Sequence, residues 1–131
     1  MTGEGVNPIR SFKDIIAWQK AMDLVEQIYQ LTVSFPADER FGLISQLRRA
    51  AVSVPSNISE GYGRRSRADY VHFLYMARGS ANELETELLL SARLGFGSSD
   101  QIDSCLALTC EIQRILKGLV ASLDVTKSTK A

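Results

Sequence analysis

Residues 41–61 read FGLISQLRRAAVSVPSNISEG. Within this stretch Phe41, Ile44, Leu47, Ala51, Val54 and Ile58 recur every three or four residues, the spacing that aligns side chains on one face of an α-helix. Polar Gln46, Arg49, Ser53 and Asn57 stand between them, so the segment reads as an amphipathic helix with one face for a core. Pro55 falls inside the pattern. It has no amide hydrogen and its ring crowds the carbonyl of Ala51, which predicts a kink at this point. Gly61 and Gly63 supply the stop.

The same period continues outward in both directions. Upstream, Asp14 to Val33 carries two apolar stripes: Ile15, Trp18, Met22, Val25 and Tyr29, and Ala17, Ala21, Leu24, Ile28 and Leu31. Together they cover much more than the ~100° of surface that one core-facing side requires. Either the helix is deeply packed, or the excess meets another subunit. Phe35-Pro36 closes this helix, because the residue before proline is pushed out of the α region. Asp38 then offers a carboxylate to cap the second helix and meet its positive end.

Downstream, Ser66-Arg67-Ala68-Asp69 has the form of a capping box with Asp in place of Glu. A third stripe follows, Tyr70, Leu74, Ala77, Ala81, Leu84 and Leu88, and ends at Gly95. Gly79 sits in its middle at a cost of ~1 kcal/mol relative to alanine, which predicts a second backbone passing close by. Ser98 or Ser99 opens the fourth helix, with the stripe Ile102, Leu106, Thr109, Ile112, Leu116, Leu119 and Leu123. Strand signals are nearly absent and the connections are short, which favours antiparallel neighbours. The fold class is therefore all-α: an up-down antiparallel four-helix bundle with a proline kink in the second helix. Residues 1–131 form a single domain with helices at about 14–33, 38–61, 66–94 and 99–123.

Composition agrees. A chain of 131 residues that is 45% hydrophobic can bury a core and is not a disordered sequence. No stretch approaches the ~20 apolar residues of a membrane span. Met1–Arg10 lacks the basic start and apolar run of a signal peptide, and Thr126–Ala131 reads as a polar, frayed tail. Cys105 and Cys110, five apart on one helix, would lie about 140° apart around its axis and do not make a disulfide. Two free thiols, read as small core residues, fit a reducing cytoplasm.

Fifteen basic and fifteen acidic residues give a net charge of zero, unlike the usual strongly basic polyanion binder. The charges are not evenly spread. Residues 40–78 hold seven arginines, namely Arg40, Arg48, Arg49, Arg64, Arg65, Arg67 and Arg78, against only Glu60 and Asp69. The arginines admit two readings. They pair with the acidic run Glu83, Glu85 and Glu87, within or between subunits. Alternatively, Arg64, Arg65 and Arg67, with Arg48 and Arg49, hold phosphate groups, aided by the start of the third helix.

No catalytic signature emerges. His72 is the only histidine and has no metal partner at a recognised spacing, so no metal and no cofactor is expected. There is no phosphate-binding glycine loop and no nucleophile elbow. Glu83 and Glu87 share a face, but a carboxylate metal bundle wants Glu-x-x-His pairs from separate helices. The sequence points away from an enzyme. Ser53, Ser56, Asn57 and Glu60 gather around Pro55 at helical spacing. They satisfy the carbonyl freed by proline or bond a neighbouring helix; the alternative is a polar pocket at the kink lined by Arg49, Asn57, Glu60 and Arg64.

Residues 46–61, QLRRAAVSVPSNISEG, together with Trp18-Gln19-Lys20-Ala21, Phe35-Pro36, Glu39, Phe41-Gly42-Leu43, Ala77-Arg78-Gly79-Ser80 and Glu83-Leu84-Glu85, resemble the signature of the bacterial four-helix bundle proteins encoded in 23S ribosomal RNA intervening sequences, the so-called S23 ribosomal protein family. The likeness is strong over residues 12–95 and weaker in the fourth helix. It implies an up-down bundle assembled into a ring-like homopentamer in the bacterial cytoplasm, and it implies no chemical activity. The accessory proteins of diversity-generating retroelements look similar in fold and are basic nucleic-acid-binding pentamers; this chain departs from them in its zero net charge. The expectation is a non-enzymatic homopentameric binding or scaffold protein whose partner is RNA or another nucleic acid. The alternative is an adaptor ring that holds a protein partner.

Overall fold

A computed structural model describes residues 8–128, and the side chains among them as far as Asp124. Residues 1–7, which hold most of the opening segment, and residues 129–131 of the polar tail lie outside the described residues. Four helices make up the fold: α1 Ile16–Thr32, α2 Leu43–Tyr62, α3 Arg67–Arg93 and α4 Ser99–Ser128. No strand occurs among the described residues. Each helix packs on two others, α1 on α2 and α4, and α3 on α2 and α4. That is the cyclic order of an all-α bundle in which helices adjacent in sequence are adjacent in space.

The core follows most of the stripes read from the sequence, although on α4 Cys105 and Val120 are buried while Leu106, Leu119 and Leu123 are only half-buried. Ala17, Ala21, Leu24, Ile28 and Leu31 of α1 are fully buried, as are Leu47, Ala51, Val54 and Ile58 of α2. Leu74, Ala77, Ala81, Leu84 and Leu88 of α3 meet Ile102, Thr109, Ile112 and Leu116 of α4 in the same interior. The first stripe expected on α1 behaves differently: Met22 and Tyr29 are exposed and Trp18 and Val25 only half-buried. Three buried hydroxyls are satisfied within their own helices. Thr32 donates to the Ile28 carbonyl at 2.8 Å, Ser91 to Glu87 at 2.8 Å and Thr109 to Cys105 at 2.7 Å. Cys105 is buried, which pushes its thiol up to about 11.

The ends are held by identifiable devices. Ser11 and Asp14 form a capping box around a short 3-10 turn, Phe12–Asp14, ahead of α1. Ser66 accepts from the Asp69 amide at 3.0 Å; Ser98 accepts from that of Gln101 at 3.3 Å. Gly95 and Gly97 both take φ +76°, a conformation that side chains resist, and so turn the chain sharply from α3 into α4.

Several expectations need correction. The second helix begins at Leu43, not near Asp38; residues Ala37–Glu39 form a 3-10 turn instead. Glu39 rather than Asp38 caps it, accepting from the Leu43 amide at 3.0 Å. Phe41, counted as the first core residue of that helix, therefore precedes the helical register and is 88% exposed. The helix runs through Pro55 as one element, so the proline does not break it. The fourth helix continues past Leu123 to Ser128, because the sequence there holds no proline or glycine to stop it. Gly79 lies on an open surface where an added Cβ would meet nothing within 4 Å. The close approach occurs at Gly61 instead, where a Cβ would stand 2.6 Å from the Cβ of Phe73.

Candidate nucleic-acid interface

α2 places the five arginines singled out in the sequence in two sets. Arg48 and Arg49 lie in its first two turns; Arg64 and Arg65 lie beyond its end, in the turn to α3, and Arg67 opens α3. With ~1.5 Å of rise per residue the sets stand roughly 20–25 Å apart, so they do not converge on one anion. Arg49, Arg65 and Arg67 are exposed. Arg64 pairs with Glu60 at 2.7 Å and stacks on the Phe73 ring at 4.8 Å.

Among the described residues no ion pair joins this arginine block to Glu83, Glu85 or Glu87. Pairing with this acidic run within the chain is thus not what holds the arginines. Glu85 accepts instead from Gln113 of α4 at 3.1 Å. Glu87 is buried, and its Oε1 has no hydrogen-bond partner. Burial, with Glu83 beside it, pushes its carboxyl up to about 7.

Arg48 is held most firmly. Its Nε donates to Thr32 Oγ1 at 2.9 Å, and that hydroxyl donates onward to the Ile28 carbonyl. This chain of hydrogen bonds sets the guanidinium over the Tyr29 ring, 4.3 Å from its centroid. Arg40 lies over Phe41 at 5.9 Å. These residues, with Ile44, Ser45, Arg49 and Val52, line an open groove of about 490 Å³ between α1 and α2. No acidic side chain lines it.

The cluster around Pro55 is more local than expected. Ser53 donates to the Arg49 carbonyl at 3.0 Å, Asn57 to Ser53 at 2.9 Å and Ser59 to Ser56 at 3.1 Å. None of these bonds reaches the Ala51 carbonyl that proline frees, and none reaches another helix. Ser56 and Glu60 are exposed. The cavity on this side of the bundle is the arginine–aromatic groove, which includes Arg49 but not Asn57, Glu60 or Arg64.

Sequence reasoning missed Tyr29, Arg40 and Phe41 as groove residues. Both aromatics fell on apolar stripes and were assigned to packing. The available signal was the Arg40-Phe41-Gly42 turn, where a large ring sits next to a glycine and outside any helix. His72 lies exposed on α3, with its ring edge-on to Phe73. Among the described residues no three His, Cys, Asp or Glu side chains gather to hold a metal ion. No helix among them is long and apolar enough to cross a membrane.

A model of the 23S rRNA-intervening sequence protein family matches residues 13–118. The match runs from the start of the bundle through most of α4, further than the motifs quoted from the sequence. Among solved structures, a protein of unknown function from the S23 ribosomal protein family of Bacteroides thetaiotaomicron VPI-5482 is similar, with a TM-score of 0.72 and 27% identity. The likeness covers 80% of this chain and 98% of that one. No curated protein matches the chain.

Proposed function

This chain belongs to the 23S rRNA-intervening sequence protein family, and from that premise we propose that it is a non-enzymatic, homopentameric scaffold that binds nucleic acid through the arginines of α2 and of the α2–α3 turn. The observation that carries the reading is the state of those arginines. Of Arg48, Arg49, Arg64, Arg65 and Arg67, only Arg64 takes part in an ion pair among the described residues. Guanidinium groups left without a carboxylate, on a surface with few acidic neighbours, are suited to phosphate oxygens. The start of α3 adds its unpaired backbone amides beside Arg67.

Assembly supplies what a neutral chain lacks. α1 exposes Ile16 and Met22, Val33 stands exposed just past its end, and α3 exposes Tyr75, Met76, Leu89 and Leu90. A ring of five copies would cover much of this apolar surface and present five arginine surfaces to one polyanion. Weak contacts then add through effective concentration. In the cytoplasm, where the absence of a disulfide between Cys105 and Cys110 is natural, structured RNA is the partner that fits best.

The test is a titration of the full chain against labelled structured RNA, single-stranded RNA and duplex DNA at several salt concentrations, with the mass measured by light scattering. The expected result is a mass of five chains and an affinity that falls steeply with salt, as counterion release requires. Arg64→Ala combined with Arg65→Ala weakens it. A monomer across micromolar concentrations refutes the ring. No binding at low salt refutes the nucleic-acid role and favours the adaptor reading, in which the ring holds a protein partner.

A further inference from the structure

We propose that the groove between α1 and α2 is a base-stacking site for a single-stranded polynucleotide, with Phe41 and Tyr29 as the stacking platforms and Arg40, Arg48 and Arg49 as the phosphate ligands. This rests on the nucleic-acid reading above and narrows it to one strand form and one surface.

Three features of the groove point to that ligand. First, its rings are partly open to solvent, with Arg48 lying over one face of Tyr29. Phe41 is 88% exposed and Tyr29 43% exposed, although each is large enough to be buried at a gain. A flat aromatic face left in water is the platform on which an unstacked base settles, whatever its identity. Bases in a duplex already stack on each other and present only their edges, so the platform selects single strands.

Second, the charge is of one sign. Three guanidiniums and no carboxylate line the groove. Glu39, the nearest acidic residue in sequence, turns its carboxylate to the Leu43 amide and caps α2. A protein partner would need matching acidic side chains around two aromatic anchors, whereas a polynucleotide carries both a base face and a phosphate in every unit.

Third, the arginine is set in advance. Arg48 uses Nε on Thr32, which leaves its two terminal nitrogens for a ligand while the guanidinium plane stays over Tyr29. A base laid on Phe41 would extend a stack of rings and guanidiniums, and the phosphate on either side falls within reach of Arg40 or Arg49. Preorganisation of this kind lowers the ordering cost of binding.

The experiment uses short fluorescein-labelled oligouridine, oligothymidine and a duplex of equal length, read by anisotropy on the full chain and on Phe41→Ala and Arg48→Ala. Phe41 lies outside the helices and is exposed, so Phe41→Ala folds as the parent does; a thermal melt checks this. Phe41→Ala is expected to weaken both single strands about 10-fold or more, with little change for the duplex. Phe41→Trp adds a direct readout: its emission is quenched when a base stacks on it, above the background of Trp18. A single strand that binds the parent and Phe41→Ala equally, with Phe41→Trp unquenched, overturns the groove while leaving the nucleic-acid reading in place. No polynucleotide binding by the parent overturns both. A change of mass in light scattering for Phe41→Ala would instead make the groove a seam between copies, and would overturn the proposal as well.

Discussion

Glu87→Gln should make this protein distinctly more stable at pH 8 and change it much less at pH 5. Glu87 is 6% exposed, surrounded on α3 by Leu84, Leu88 and Ser91, and its Oε1 has no hydrogen-bond partner. Burial first, and then the neighbouring Glu83, raises its carboxyl from 4.5 to about 7. A folded-state value above the unfolded one means that the native chain binds the extra proton. Its stability is therefore fully present below pH 4.5 and declines as pH rises through 7. A gap of about 2.5 units at ~1.36 kcal/mol each sets an upper bound of about 3 kcal/mol at pH 8, and about 1 kcal/mol at pH 5. Sharing of the proton with Glu83 spreads part of this over both carboxyls, so about 2 kcal/mol is the working figure for the difference. Glutamine keeps the shape and removes the charge. Urea unfolding of both chains at pH 5, 6, 7 and 8 measures the difference directly. Parallel stability curves for the two chains, with no gap opening between pH 5 and 8, would refute the idea that an ionised carboxylate is held in this interior.

Three further substitutions test the packing. Leu47→Ala, at a position with no exposed surface, should cost ~2–5 kcal/mol in denaturant unfolding; a loss near zero would mean that α2 does not present this face to the core. Gly61→Ala should cost ~1–3 kcal/mol, because the new Cβ would stand 2.6 Å from the Phe73 Cβ and α2 and α3 must move apart; an unchanged midpoint would show that the seam is loose. Gly79→Ala should do the opposite and stabilise by up to ~1 kcal/mol, since its surroundings are open and helix propensity alone decides. Destabilisation there, accompanied by a lower mass in light scattering, would show that another copy packs against α3 at this point.

The core was legible because helical period and burial are the same information. Leu24, Leu47, Leu84 and Ile112 are where a 3.6-residue repeat puts them. What failed was anything that depended on where the repeat starts or on which helices meet. Phe41 matched the period of α2 yet stands two residues before it, because Glu39, placed four residues ahead of Leu43, closes the first turn there. Gly79 and Gly61 look alike in sequence, each a glycine at a helical position. Only the register of α2 against α3 decides that Phe73 falls opposite the one and nothing opposite the other. Glu87 follows the same rule: its burial depends on which flank of α3 turns inward, and the sequence alone shows it only as a member of an acidic run.

Net charge, too, is a property of the chain and not of any surface a ligand meets. At physiological salt the field of an exposed charge decays over ~8 Å. α2, with 20 residues, is about 30 Å long. Charges farther than this decay length from the α1–α2 groove therefore contribute little there, and the groove's own lining carries Arg40, Arg48 and Arg49 with no carboxylate. A zero total is compatible with a locally cationic face, provided that the acids near it are committed elsewhere. Glu39 is committed to the start of α2 and Glu85 to Gln113. Glu60 is committed to Arg64 beside the turn between α2 and α3. If the proposal above holds, the aromatic groove, with no acidic lining residue and a fixed Arg48, is where the strand would bind.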